Sequence, residues 1–305
     1  MPLSGIILIA ALIVDRSIGD PHSSFHPVAL IGRFIGWWGR PSEYRPHLQR
    51  FAGFFFWIVT IILFTIPFLL VELYGPWWVY IMAGPFLLKT TFAWRSLEDH
   101  ARLVDEALAR DQDAGRIAVS MMVSRNTSCL SDEAIRSAAY ESVAENLVDS
   151  IIAPLFWFAL LGLPGAAMYR AANTMDAMLG YHDERWRLGW FSARADDLLT
   201  YIPARITGLL LLLWFGLKGR GEVAYAVLSR DARRRPGWNG GIPMAAIAGG
   251  CGVLFEKAGR YRIGDPLIPL SKGGRCVIAA VRGTTVLFTG ILLIFWVLFS
   301  HLNAC

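Results

Sequence analysis

Residues 51–73 read FAGFFFWIVTIILFTIPFLLVEL, with no charged side chain until Glu72. Roughly 20 consecutive apolar residues cross a bilayer as an α-helix, so this stretch predicts a membrane span. A second run, 277–300, carries only Arg282 near its start and predicts another. The blocks 76–94, 151–169 and 201–217 are of near-spanning length, and each contains Gly or Pro. Membrane helices tolerate such residues where neighbours satisfy the freed backbone groups. Residues 2–14 form a shorter apolar block. It lacks the basic start and small-residue cleavage site of a secretory signal, so it reads as a retained membrane helix or an interfacial one.

The whole chain agrees with those blocks. Of its 305 residues 55% are hydrophobic and only 17% charged, against about a quarter charged in a soluble domain. Polar residues gather in four segments, 15–50, 95–150, 170–200 and 218–276, and no stretch shows the alternation of a β-sheet. The predicted fold is all-α: one integral membrane domain over 1–305, a multi-pass helical bundle whose helical and irregular polar loops form the site. The net charge of +5 does not point to nucleic acid. Lys218, Arg220, Arg230, Arg233, Arg234 and Arg235 follow an apolar block directly, where the positive-inside rule expects a cytoplasmic loop. Cys129, Cys251, Cys276 and Cys305 show neither CxxC pairing nor zinc spacing. They read as small buried side chains, free in a reducing compartment.

Residues 141–154, ESVAENLVDSIIAP, place Glu141, Glu145 and Asp149 four residues apart just before an apolar run. At 100° per residue this spacing lines the carboxylates along one stripe, with Asn146 beside it. Ser131, Asp132 and Glu133 supply a helix start with acids in the first turn. A solvated acidic face is one reading of the stripe. No Lys or Arg follows any of the three at i+3 or i+4, and that favours the other, Mg²⁺ held by oxygen ligands.

Residues 172–190, ANTMDAMLGYHDERWRLGW, put Asn173 and Asp176 on one helical face before Gly180 ends the helix. Ser192-Ala193-Arg194, Asp196-Asp197 and Tyr201-Ile202-Pro203-Ala204-Arg205 follow. Carboxylates and guanidiniums gathered between apolar helices suit a phosphorylated ligand, or equally a salt-bridged loop with snorkelling arginines. Near the start, Pro21 forces an extended residue before it, so Asp20 belongs to a turn. His22 and His26 lack the spacing of a metal site. Walker A, GxGxxG and GxSxG motifs are all absent.

In this order, the motifs resemble the adenosylcobinamide-phosphate synthase family of cobalamin biosynthesis (the CbiB/CobD type). The matching residues begin with Asp15-Arg16, Gly19-Asp20-Pro21, His26-Pro27-Val28, Ile31-Gly32-Arg33 and Ser124-Arg125-Asn126-Thr127-Ser128. They continue with Glu141-Ser142-Val143-Ala144-Glu145-Asn146, Asp149, Ala153-Pro154, Asn173-Thr174-Met175-Asp176, Met178 and Gly180-Tyr181. Ser192-Ala193-Arg194, Asp196-Asp197, Tyr201, Pro203-Ala204-Arg205, Ser229-Arg230-Asp231 and Asn239 complete the set. Asn126 stands where the family usually has Asp.

The resemblance implies an ATP-dependent ligase of the cell (inner, cytoplasmic) membrane. It would join a carboxylate of adenosylcobyric acid to the amine of (R)-1-amino-2-propanol phosphate, or a related amino alcohol. A carboxylate is a poor electrophile and needs activation, as an acyl phosphate made from ATP, and phosphoryl transfer calls for Mg²⁺ and Arg. The amine then needs a base, a carboxylate or His26. On this reading Glu141, Glu145, Asp149 and Asp176 hold Mg²⁺ and nucleotide, Arg125, Arg194 and Arg205 contact phosphates, and Asp15, Asp20 and His26 complete the site. Thr127, Ser128, Asn146, Asn173, Asp197 and Asn239 are further ligand-binding candidates. The partners implied are the corrinoid, the amino-alcohol phosphate and the lipid bilayer; other corrinoid-pathway enzymes and a second copy of the chain are compatible with it.

Topology leaves two arrangements open. Either 151–169 crosses the membrane fully, or Gly162-Leu163-Pro164-Gly165 turns a re-entrant pair of half-helices, which needs protein or a cavity to cover the backbone. Two other functions compete. A transporter also carries intramembrane charges, but it usually shows paired halves, and this chain shows none. A Mg-dependent membrane prenyltransferase would use Asn173-Thr174-Met175-Asp176 as an acidic motif, but the second acidic repeat is missing.

Overall fold

A computed structural model describes residues 3–20 and 26–302. Pro2, Pro21, His22 and Cys305, which figured in the sequence reading, lie outside the described residues. Twelve α-helices account for nearly all the regular structure: α1 (Leu3–Ile18), α2 (Pro27–Trp38), α3 (Gln49–Tyr74), α4 (Trp77–Lys89), α5 (Trp94–Leu108), α6 (Gln112–Ser120), α7 (Asp132–Leu147), α8 (Ala153–Leu179), α9 (Trp190–Leu217), α10 (Gly221–Asp231), α11 (Gly241–Cys251) and α12 (Leu270–Leu302). The all-α membrane expectation holds. Four helical stretches are long and apolar enough to cross a membrane: Gln49–Tyr74, Asp132–Leu179, Trp190–Leu217 and Leu270–Leu298. The second is apolar only in its later part, beyond the polar helix α7. Helices α1 (16 residues) and α4 (13 residues) are shorter and pack on each other. They approach closely at Gly84, where an added Cβ would lie 2.9 Å from Ile7 Cδ1.

The chain forms two compact units, one built from 1–93, 153–200 and 292–305, the other from 94–152 and 201–291. In the first, α2, α3 and α8 enclose a core of Ile31, Ile35, Trp38, Ala52, Ala171, Met175, Leu179 and Leu188. Helix α8 is broken at Gly162, whose φ of 66° and ψ of −157° are far from helical. The main chain reverses there. A Cβ added at Gly165 would fall 2.3 Å from the Trp157 carbonyl oxygen, whereas eight residues of continuous helix separate two positions by about 12 Å. The limbs on either side meet neighbouring residues of α9: Trp157 Nε1 donates to Leu199 O (3.1 Å) and Tyr169 Oη bonds Thr200 Oγ1 (3.1 Å). Glu72 caps the second limb by accepting the Leu163 N–H (2.7 Å). Of the two sequence arrangements, this local geometry is the pair of half-helices.

The second unit holds an element the sequence reading missed. Strands β1 (Leu254–Lys257) and β2 (Tyr261–Gly264) pair antiparallel, with Phe255 opposite Ile263 and Lys257 opposite Tyr261. Gly259, at φ 70°, supplies the left-handed residue of the turn, which Arg260 N–H closes onto Lys257 O (2.9 Å). Two strands of four residues are too short to show a convincing alternation. The usable signal was the Gly-containing turn between Val253-Leu254-Phe255 and the alternating Tyr261-Arg262-Ile263.

Candidate active site

Helix α7 starts as its sequence prescribes, with Ser131 Oγ accepting the Ala134 N–H (3.4 Å) and Asp132 and Glu133 in the first turn. Ten residues on, it enters the wall of a cavity of about 400 Å³, lined wholly by the second unit. This is a small-molecule volume. Helix α7 contributes Glu141, Glu145 and Asn146; the loop after α6 gives Arg125, and the turn after α10 gives Arg235. The hairpin adds Lys257, Arg260 and Tyr261.

The two carboxylates play different parts. Glu141 is buried and fully engaged: its Oε1 accepts from Ser137 Oγ (2.6 Å) and Arg125 Nη2 (3.4 Å), its Oε2 from Tyr261 Oη (2.8 Å). Ser137 Oγ also accepts the Glu256 N–H (2.7 Å), which ties α7 to β1. Burial pushes the Glu141 carboxyl above its ordinary value, although Ser137, Arg125 and Tyr261 all pull it down. Burial, then the Glu141 charge, pushes the Tyr261 hydroxyl up as well. Glu145 pairs with Arg235. Its side chain is 33% exposed against 8% for Glu141, so Glu145 is the carboxylate a ligand can reach.

Here the expectation of cation-free carboxylates is corrected. The partners exist but come from 16 and 90 residues away in sequence, beyond any i+4 rule. Asp149 falls in a π-helical turn, Val148–Ile152, and is not among the described residues lining the cavity. A π turn bonds i to i+5, which breaks the four-residue register of the stripe. Among the described residues no three His, Cys, Asp or Glu side chains form a metal-holding group. Mg²⁺ commonly takes one or two carboxylates and completes its shell with water and phosphate oxygens. Glu145, with Glu141 behind it, fits that mode.

Other predicted residues of the second unit stand around the cavity or beside it. Thr127 and Ser128 line a separate open depression with Asp113 and Arg116. There Asn126 Oδ1 accepts from Ser128 N (3.0 Å) and Ser128 Oγ (2.8 Å). This is an acceptor role that the family's Asp would also fill. Arg205 does not line the cavity. Its Nη1 donates to Asn239 Oδ1 (2.6 Å), its Nη2 to Trp238 O (3.1 Å), and it lies over the Tyr201 ring at 3.4 Å.

The remaining predicted residues belong to the first unit. Asp15 is fully buried, and the Lys89 ammonium bridges it (3.1 Å) to Asp20. His26 caps α2, its Nδ1 accepting the Val28 N–H (3.3 Å). Burial pulls its imidazole below the ordinary value, with Asp20 opposing. Asn173 Nδ2 donates to Asp196 Oδ1 (3.3 Å). Asp176 lies under Gly180, where a Cβ would sit 2.0 Å from Asp176 Oδ1. Arg194 pairs with Asp197 (3.7 Å) one helical turn on. Lys89 escaped the sequence reading because it sits inside the apolar block 76–94; a lone lysine in such a block is itself a signal. The cysteine expectation holds only for Cys251, which is buried; Cys129 is exposed, and both are free, as is Cys276.

Fold and cavity together define a multi-pass helical membrane protein with a cation-rich pocket. The sequence model of the CobD/Cbib protein family matches residues 8–297, and the chain belongs to that family. Its relatives include a probable cobalamin biosynthesis protein CobD of Methanothermobacter thermautotrophicus, 43% identical over 265 residues, covering 85% of this chain and 86% of that one. The cobalamin biosynthesis proteins CobD of Dehalococcoides mccartyi (38% identical, 87% and 88% covered) and Brucella anthropi (38%, 86% and 84%) are similar over the same extent. No solved structure matches the chain.

Proposed function

We propose that this protein catalyses the ATP-dependent amide ligation of cobalamin biosynthesis, joining adenosylcobyric acid to (R)-1-amino-2-propanol phosphate or a related amino alcohol in the cell membrane. One observation carries the reading. Four cations (Arg125, Arg235, Lys257, Arg260) and two carboxylates (Glu141, Glu145) face one 400 Å³ cavity, a surplus of positive charge suited to phosphate oxyanions.

The chemistry assigns work to each side chain. Transfer of the γ-phosphoryl group to the corrinoid carboxylate gives an acyl phosphate and ADP. Attack by the amine then forms the amide and releases phosphate. Arg125, Lys257 and Arg260 hold phosphoryl oxygens and offset the charge that builds up on them. Glu145, the reachable carboxylate, takes the ammonium proton of the amino alcohol or a metal. Glu141 orients Arg125 and Tyr261 rather than meeting substrate. Glu145 would hold a Mg²⁺ ion accompanying the nucleotide, and the ion would supply further charge neutralisation there.

The test is direct. Purified protein in detergent is incubated with ATP, Mg²⁺, adenosylcobyric acid and aminopropanol phosphate, and the amide is followed by mass spectrometry. Neither amide nor ATP turnover with any amino-alcohol phosphate would defeat this reading. Substrate movement across proteoliposomes without bond formation would favour a transporter.

A further inference from the structure

The turn between α10 and α11 has both of its stems fixed. At the first, Asp231 is fully buried; it accepts from Arg230 (2.8 and 2.9 Å), pairs with Arg234 (3.0 Å) and accepts the Gly264 N–H of β2 (2.9 Å). At the second, Arg205 from α9 bonds Asn239 and Trp238, and the Tyr201 ring packs edge-on to Trp238 (6.4 Å). The stems touch, since a Cβ on Gly241 would fall 2.0 Å from Ala232 O. The turn thus brings Arg235 and Pro236 to the cavity wall, with Arg235 pairing with Glu145. The chain leaves room for it: a Cβ on Gly240 would lie 2.8 Å from the Arg235 guanidinium carbon.

We infer that Arg205 and Asn239 are positioning residues for Arg235, and that Arg235 is a direct ligand of the phosphate group taken up by the cavity. This inference rests on the anionic-ligand reading of the cavity and assigns Arg205 a different part from the phosphate contact its sequence motif suggested. Its geometry is specific. Arg205 spends both terminal nitrogens on Asn239 and Trp238 and its face on Tyr201. Arg235 gives one nitrogen to Pro236 O (2.9 Å) and another to Glu145. An arriving phosphate competes with Glu145 for that second nitrogen, and Arg235 moving onto it frees the carboxylate. The phosphate has two sources, nucleotide and amino-alcohol phosphate, and the chemistry of the contact is the same for both.

The test measures affinities for MgATP, aminopropanol phosphate and inorganic pyrophosphate, by calorimetry on the full chain in detergent. Wild type, R235A, R205A, N239A, N239D and the double variant R205A/R235A are compared. R235A is expected to weaken the bound phosphate ligand about tenfold, the loss of one charged hydrogen bond. R205A and N239A should weaken it to a similar extent. N239D keeps the acceptor oxygen and should restore affinity. The double variant should be no worse than R235A alone. Which of ATP and aminopropanol phosphate responds identifies the source of the phosphate.

Independent, multiplying losses from R205A and R235A would overturn the inference. So would wild-type affinity in N239A, or wild-type protein binding none of the three probes. Binding without amide formation defeats only the ligase reading. Thermal unfolding of each variant checks the fold, and N239D rescue separates positioning from general damage.

Discussion

Two clusters of opposite charges differ in the space around them. In the first unit, Asp15 and Asp20 share one ammonium, Lys89, whose side chain is 5% exposed. The nearby cavity, between Pro27, Ile31, Thr90, Thr91 and Arg170, has a volume of about 10 Å³, room for about one water. In the second unit, cations outnumber carboxylates around about 400 Å³. In the first cluster one ammonium serves two carboxylates beside little open space, while in the second cations are in excess around an open cavity. Both contain motif residues, so a motif alone does not tell a structural centre from a binding one.

The sharpest way to break this comparison is Lys89→Met. It leaves two carboxylates without their shared ammonium, one of them fully buried. Removing one partner of a buried pair costs about 3–5 kcal/mol. The expected result is a large fall in thermal unfolding temperature, or loss of folded protein on purification. A stably folded but inactive Lys89→Met variant would instead make the first cluster a functional centre.

Next comes Glu145→Gln, expected to cut amide formation by about a hundredfold or more, in the range of general acid–base contributions. Its unfolding temperature should stay within a degree or two of wild type, since Glu145 is a third exposed and its pairing with Arg235 is of the weak, solvent-screened kind. Wild-type turnover in this variant would reduce the acidic stripe to a structural face. Lys257→Ala and Arg260→Ala each remove one hairpin cation, and each should raise KM for the phosphorylated substrate roughly tenfold with a smaller change in kcat. Equal losses in kcat and kcat/KM would place those cations on the transition state alone.

How much of this was legible follows from the range of each interaction. The spans expected over 51–73 and 201–217 and the start of α7 at Ser131 rest on local rules, apolar length and a cap. The helices found at 49–74 and 190–217 contain both spans, the second beginning 11 residues earlier, inside a segment expected as polar loop. The break in α8 was readable as an option from Gly162-Leu163-Pro164-Gly165, but choosing it required seeing Trp157 and Tyr169 meet adjacent residues of α9. The cavity was half legible. Glu141, Glu145, Asn146 and Arg125 share motifs close in sequence, whereas Arg235 shows in the sequence only as positive-inside charge and the hairpin strands are too short for a convincing alternation. Pairs 90 and 120 residues apart, such as Arg235 with Glu145 and Tyr261 with Glu141, leave no periodic trace.

The smallest effect concerns pH and separates the two carboxylates of the cavity. Burial holds the folded pKa of Glu141 above its ordinary value of 4.5. A carboxyl raised on folding stabilises the fold below its unfolded pKa, and that contribution is lost as pH rises through the folded value. Glu141→Gln does not titrate; its amide oxygen keeps the acceptor for Ser137, while its NH2 takes the place of the oxygen that accepts from Tyr261, whose hydroxyl can turn to accept instead. The stability of wild type relative to Glu141→Gln should therefore decline as pH climbs from about 4.5 towards neutrality, then level off. Unfolding temperatures of the two proteins across that range, in one detergent, give the difference directly. A difference that grew with pH would mean that Arg125, Ser137 and Tyr261 outweigh burial. Glu141 would then be an ordinary ion-paired carboxylate like those around Lys89, and the contrast between the two clusters would rest on cavity volume alone.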